Sequence, residues 1–212
     1  MTMKLFFIRH GETTYSKIGG YCGDLDPELT DDGSKMAQQF AEAYGDLDWK
    51  AAYVSPMKRT IATSKFLCDR ARLTAEVRDG IKELSYGDWE GKTPADVNRE
   101  FHDDYIRWLT DPGWNAPTGG EKAIELARRS SEVIREIQEH HEDGNVLVVS
   151  HKATIRVMIC HLLGIDVGRF RDRIAMPVGG VSIVEFREHG PLIHALADRS
   201  YLDPELRTRP GT

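Results

Sequence analysis

Short runs in which nearly every position is apolar alternate along this chain with longer stretches in which apolar residues recur every three or four positions. Residues 4–8, Lys-Leu-Phe-Phe-Ile, read as a strand apolar on both faces, the pattern of a parallel strand covered by helices on both sides. Thr30 is a plausible N-cap for the helix that follows, with Met36, Ala37, Phe40, Ala41 and Tyr44 on one face. Residues 51–54 form a second strand. Ser55-Pro56 then opens a helix, Ser as N-cap and Pro at the first helical position, with an inward stripe of Met57, Ile61, Leu67 and Cys68. After a short strand over 75–78 comes an irregular stretch over 80–94, then helical pattern over 95–109, broken at Asp111-Pro112-Gly113. A long amphipathic helix over 121–141 turns Ile124, Ala127, Ile134 and Ile137 inward, and Asp143-Gly144 ends it. Residues 146–149 are another buried strand, and 153–163 a helix apolar nearly all round. The strands over 181–186 and 192–196 form a terminal hairpin, and the tail after 201 reads as irregular.

This alternation specifies an α/β fold, a three-layer α/β/α sandwich around a mostly parallel sheet with an antiparallel edge. No linker, repeat or low-complexity segment interrupts it, so 1–212 reads as one domain. Composition narrows the function classes. Lys+Arg 28 against Asp+Glu 34 gives a net charge of −6, the wrong sign for general nucleic-acid binding, so any anion site is local. The longest apolar runs are four residues, far short of the ~20 a membrane helix needs. Cys22, Cys68 and Cys160 are odd in number and widely spaced, which favours a reducing cytoplasm over a disulfide framework. His140, His141 and His161 have no partners at zinc-ligand spacing, and no P-loop or dinucleotide fingerprint is present; no metal or cofactor is expected. His161 reads as a core or interfacial residue.

Open α/β sheets bind ligands at the carboxyl ends of their strands. Three such ends here carry unusual chemistry: Arg9-His10-Gly11-Glu12-Thr13, Ser55-Pro56 with Arg59 one turn later, and Ser150-His151. If the strands are neighbours, two imidazoles and two guanidiniums converge. That set suits a phosphoryl group, because guanidinium forks match phosphate oxygens and a neutral imidazole can take the group onto a ring nitrogen.

Arg9-His10-Gly11-Glu12-Thr13, Ser55-Pro56-Met57-Lys58-Arg59-Thr60, Glu83-Leu84 with Gly87-Asp88-Trp89-Glu90-Gly91, and Ser150-His151, in that order, resemble the histidine phosphatase superfamily, which includes the cofactor-dependent phosphoglycerate mutases. The resemblance implies a phosphoglycerate mutase-like fold. It implies that His10 is the phosphorylated nucleophile, that Arg9, Arg59 and His151 bind the phosphoryl group, and that Glu83 is the general acid and then base. Glu12, Asp88 and Glu90 are the competing carboxylates, with loop or cap contacts as their expected role. Many members have Asn where this chain has Ser16, whose hydroxyl donates one proton to a phosphate rather than two. Members often follow the second His with glycines, where Lys152-Ala153-Thr154 stand here.

Mutases of the family carry extra sequence after the acid, whereas Tyr86 to Gly91 here is closer to the phosphatase branch. The resemblance therefore implies a metal-independent phosphomonoesterase acting on small phosphorylated metabolites, with phosphoserine or a broad set of esters as candidates. A phosphoglycerate mutase and a non-catalytic phosphate-sensing module are the alternatives. Arg107, Arg128, Arg156, Arg171 and Arg173 are each able to meet a second anionic group. An exposed edge strand at 181–186 would permit pairing into a homodimer.

Overall fold

The computed structural model describes residues 2–209. In chain order the elements are β1 (Met3–Arg9), α1 (Thr14–Ile18), α2 (Asp31–Tyr44), β2 (Trp49–Val54), α3 (Lys58–Ala71), β3 (Ala75–Val77), α4 (Pro94–Glu100), α5 (His102–Thr110), α6 (Ala123–His140), β4 (Gly144–Ser150), α7 (Lys152–Leu163), α8 (Phe170–Arg173), β5 (Val181–Arg187), β6 (Gly190–Asp198) and α9 (Pro204–Arg207).

The six strands form one sheet in the order β3-β2-β4-β1-β5-β6. The first four run parallel, and β5 and β6 complete the sheet antiparallel to their neighbours. Side-chain alternation divides the apolar runs between two cores. Leu5, Phe7, Ala51, Tyr53, Val146 and Val148 face α6 and α7 on one side. Phe6, Ile8, Ala52, Val54, Leu147 and Val149 face α2 and α3 on the other. Both faces of the central strands are thus covered, and each fully buried large side chain contributes about 1.5–3 kcal/mol. No helix among the described residues is long and apolar enough to cross a membrane.

The main strands and helices read from the chain are found, the short helices α1 and α8 are additional to that reading, and six further points differ. The helix after β2 starts at Lys58 behind Met57, because Ser55 N–H still donates to the Val149 carbonyl in the sheet and its side chain is engaged elsewhere. Ile61 and Ile124 point outward, 44% and 36% exposed, and Thr60, Thr63 and Ser64 fill the inward face of α3 instead. The 95–109 pattern is two helices, divided at Phe101, whose φ of −132° is not helical. β5 is not an edge strand, since β6 lies outside it. His161 is exposed rather than core. The tail is ordered through Arg209: Leu202 and Leu206 bury against Met36 and Val178, while residues 210–212 lie outside the described residues.

Candidate active site

Strand order is what assembles the chemistry. Because β4 lies between β2 and β1, the residues that leave these strands emerge side by side at their carboxyl ends: Ser55 after β2, His151 after β4 and His10 after β1. The His10 N–H donates to the Ser150 carbonyl at 3.1 Å, and the two imidazole rings meet edge to face with centroids 5.3 Å apart. A Cβ at Gly11 would lie 2.3 Å from the Gly33 carbonyl oxygen, so only glycine lets the chain leave β1 against the first turn of α2.

His10 Nδ1 lies 2.8 Å from its neighbour's carbonyl, Gly11 O. A carbonyl only accepts, so Nδ1 carries the proton and Nε2 keeps its lone pair. Burial, then the Arg59 and Arg9 charges, holds the pKa of His10 well below the ordinary imidazole value. The ring is therefore neutral at neutral pH, the form that a nucleophile requires.

Arg9, His10, Arg59 and Glu83 line one cavity of about 570 Å³. Arg9 donates to the Met176 carbonyl at 2.6 Å. Burial, with Arg156 and Arg59 adding to it and Glu83 opposing, lowers its pKa to about 9, so it remains charged. Arg59 donates through Nε to His151 Nδ1 at 3.2 Å and through its terminal nitrogens to the carbonyls of Leu25, Gly23 and Cys22. Glu90 holds that loop in place by accepting from the N–H groups of Gly23, Asp24 and Leu25, and from Tyr86 N–H.

His151 is fully buried and is not part of the cavity wall. Its Nδ1 accepts from Arg59, so Nε2–H donates to Ser55 Oγ at 2.7 Å. The side chain that the Ser-Pro pattern suggests as a helix cap thus orients the second histidine. Burial, followed by the charges of Arg59, His10 and Arg9, keeps His151 neutral as well.

Glu83 occupies the N-terminus of α7. Its Oε1 accepts from Leu84 N–H and Thr154 N–H at 2.9 and 3.1 Å, while Oε2 accepts from Ala153 N–H alone at 3.1 Å; the one proton of the Thr154 hydroxyl goes to the Lys82 carbonyl at 2.7 Å. Arg129 on α6 fixes the preceding backbone by donating to the carbonyls of Gly80, Lys82 and Glu83 while paired with Glu121. Neither Arg129 nor Thr154 carries a signal in the sequence. Of the competing carboxylates, Glu12 accepts from Thr30 Oγ1, Glu90 pins the loop described above, and Asp88 is exposed. Ser16 reaches the cavity wall, but its hydroxyl accepts from Thr13 N–H and donates to the Thr13 carbonyl, closing the capping box of α1. Of the five arginines able to meet a second anion, Arg156 and Arg171 line the cavity; Arg107, Arg128 and Arg173 are exposed away from it.

The model of the histidine phosphatase superfamily, branch 1, matches residues 5–199. This chain belongs to the histidine phosphatase superfamily. Phosphoserine phosphatase 1 of Hydrogenobacter thermophilus is 32% identical over 168 residues, 79% of this chain and 80% of that protein. An acid phosphatase of Mycobacterium tuberculosis is 32% identical over 190 residues, 88% of each chain. Among solved structures, the alpha-ribazole phosphatase of Shigella flexneri superposes with a TM-score of 0.83 at 25% identity, covering 92% of this chain and 96% of that one. The superfamily frame, a mostly parallel sheet with antiparallel edge strands, is the one this chain adopts.

Two buried neutral histidines couple the site to stability. In the unfolded chain an imidazole takes up a proton near pH ~6.5, and in the folded protein His10 and His151 resist it to well below that. The unfolded state therefore binds more protons below pH ~6.5, and stability falls as pH drops from there. Urea unfolding is expected to show a lower midpoint at pH 5.5 than at 7.5 with an unchanged slope. An equal midpoint at the two values would contradict neutral burial.

Proposed function

We propose that this protein is a phosphomonoesterase that carries the phosphoryl group of a small phosphorylated metabolite on Nε2 of His10 and then delivers it to water. The observation that carries the reading is the contact of His10 Nδ1 with Gly11 O: a carbonyl only accepts, so Nε2 keeps its lone pair, on a ring that lines a cavity with Arg9 and Arg59. The phosphatase names of the relatives, phosphoserine phosphatase and acid phosphatase among them, support the same class.

The chemistry follows from the residues. Nε2 attacks phosphorus as the ester P–O bond breaks, and the guanidiniums of Arg9 and Arg59 stabilise the charge on the equatorial oxygens. His151 acts through Arg59, whose Nε it accepts, and so is a positioning residue. The leaving alkoxide takes a proton from Glu83. Oε1 already accepts two backbone hydrogen bonds and Oε2 one, so Oε2 is the oxygen that carries the proton. Glu83 then removes a proton from water, the oxygen attacks phosphorus, and the P–Nε2 bond breaks to release phosphate and restore His10. Ser16, with its proton committed to Thr13, contributes at most as an acceptor on the wall.

Phosphorus NMR of the protein with a panel of phosphorylated metabolites tests the reading. Inorganic phosphate appearing from one or a few compounds is the expected result. Migration of phosphate to another carbon would make the protein a mutase, and no change with any compound would make it a phosphate-binding module.

A further inference from the structure

The cavity is larger than a phosphoryl group requires, and its remaining wall carries cations that the mechanism does not use. Lys152 and Arg156 stand one turn apart on α7, and Arg171 on α8 places its guanidinium 4.2 Å from the centre of the Trp108 ring. Among the described residues none of these three side chains donates a hydrogen bond or lies within ion-pair distance of a carboxylate, and Arg156 is only 7% exposed with its Nε buried and unpartnered. Other partly buried arginines are paired: Arg78 with Glu136 and Arg129 with Glu121.

Like charges held together out of water are costly unless something compensates them. Burial, then Arg9 and Arg156, with Glu83 opposing and Arg171 adding, pulls Lys152 down to about 7. Burial, and then Arg171, lowers Arg156 against the pull of Tyr86 and Glu83. Glu83 is the one carboxylate among the residues lining the cavity, and its oxygens are occupied by α7 and Leu84. Arg156 and Arg171, which no carboxylate pairs, and the partly protonated Lys152 stand together in a chain of net charge −6, around a cavity whose apolar wall includes Tyr21, Tyr105 and Trp108.

We infer that Lys152, Arg156 and Arg171 form a second anion subsite, and that the preferred substrate is a phosphomonoester bearing a further anionic group, a carboxylate or a second phosphate. The inference rests on the reading of the His10 end as the phosphoryl site. The guanidinium of Arg156 supplies a planar fork for either anion, and Arg171, braced on Trp108, closes the other side.

The test compares kcat/KM for 3-phosphoglycerate and for fructose 1,6-bisphosphate with that for glycerol 3-phosphate, which has no second anion. The wild-type protein is expected to prefer at least one of the first two by about 10-fold or more, and which one names the second anion. Arg156→Met and Lys152→Met are each expected to lower that ratio by about 10-fold, with the loss in KM. Arg128→Met, the same charge removed from an exposed position of α6, is expected to leave the ratio unchanged. An unchanged ratio in both cavity variants, or an equal fall in Arg128→Met, would overturn the subsite. If the wild type hydrolyses none of the compounds, the phosphoryl-transfer reading fails instead. Calorimetric binding of 3-phosphoglycerate and fructose 1,6-bisphosphate then decides the subsite: binding weakened by Arg156→Met supports it, and equal binding overturns it.

Discussion

His10→Ala is expected to lower kcat by at least about 10³-fold for every phosphomonoester the wild-type protein hydrolyses. On the proposed mechanism the size follows from removing the atom that takes the phosphoryl group: the remaining cations would still bind the substrate, but water would have no intermediate to attack. The loss should be uniform across leaving groups, because each substrate passes through the same nitrogen. The fold should survive, since the ring leaves behind one intact backbone bond, His10 N–H to Ser150 O, and Gly11 N–H remains on Thr63. Labelled substrate quenched in alkaline denaturant, where a P–N bond persists, provides the check. Wild-type protein should retain label and His10→Ala should not; a labelled variant or near-normal turnover would move the nucleophile elsewhere.

Glu83→Gln should reduce kcat by about 10²- to 10⁴-fold for alkyl phosphates and far less for p-nitrophenyl phosphate, whose leaving group needs little protonation. Equal slowing of the two substrates would remove Glu83 from the acid role. The substitution also has a structural consequence. The carboxylate accepts from donors on both oxygens, so either orientation of the amide turns an NH₂ group toward an N–H of α7 or Leu84. A buried donor left facing another donor costs about 1–3 kcal/mol, so a lower melting temperature should accompany the kinetic change. The ratio between the two substrates separates these effects, because a general loss of structure slows both.

Much of the candidate site was legible in the sequence because it sets arginine and histidine directly after apolar strands. Arg9 and His10 follow an unmistakable apolar strand, and Ser150 and His151 follow another, so their position at the carboxyl end of a sheet needed only side-chain periodicity. The side chains that support them were not legible. Ser55 reads as a helix cap because Ser before Pro usually is one, yet its hydroxyl meets His151 across 96 residues of sequence. Arg129 reads as one more arginine on an amphipathic helix, and only the packing of α6 against the turn over Asp79–Ile81 brings it to the carbonyls of the Glu83 segment.

The sequence by itself determined the two-faced apolar strands, the helices between them and the residue types that stand at the strand ends, because these depend on local periodicity and on side-chain chemistry. Tertiary structure decided the order β2-β4-β1, which places His151 between Ser55 and His10. It engaged one ring nitrogen of His10 and both of His151, since those choices depend on which carbonyl, guanidinium or hydroxyl lies within hydrogen-bond reach. It also separated Arg156 and Arg171, on the cavity wall, from Arg107, Arg128 and Arg173 in solvent. A guanidinium has the same composition in either place, and only burial without a partner makes it a binding group.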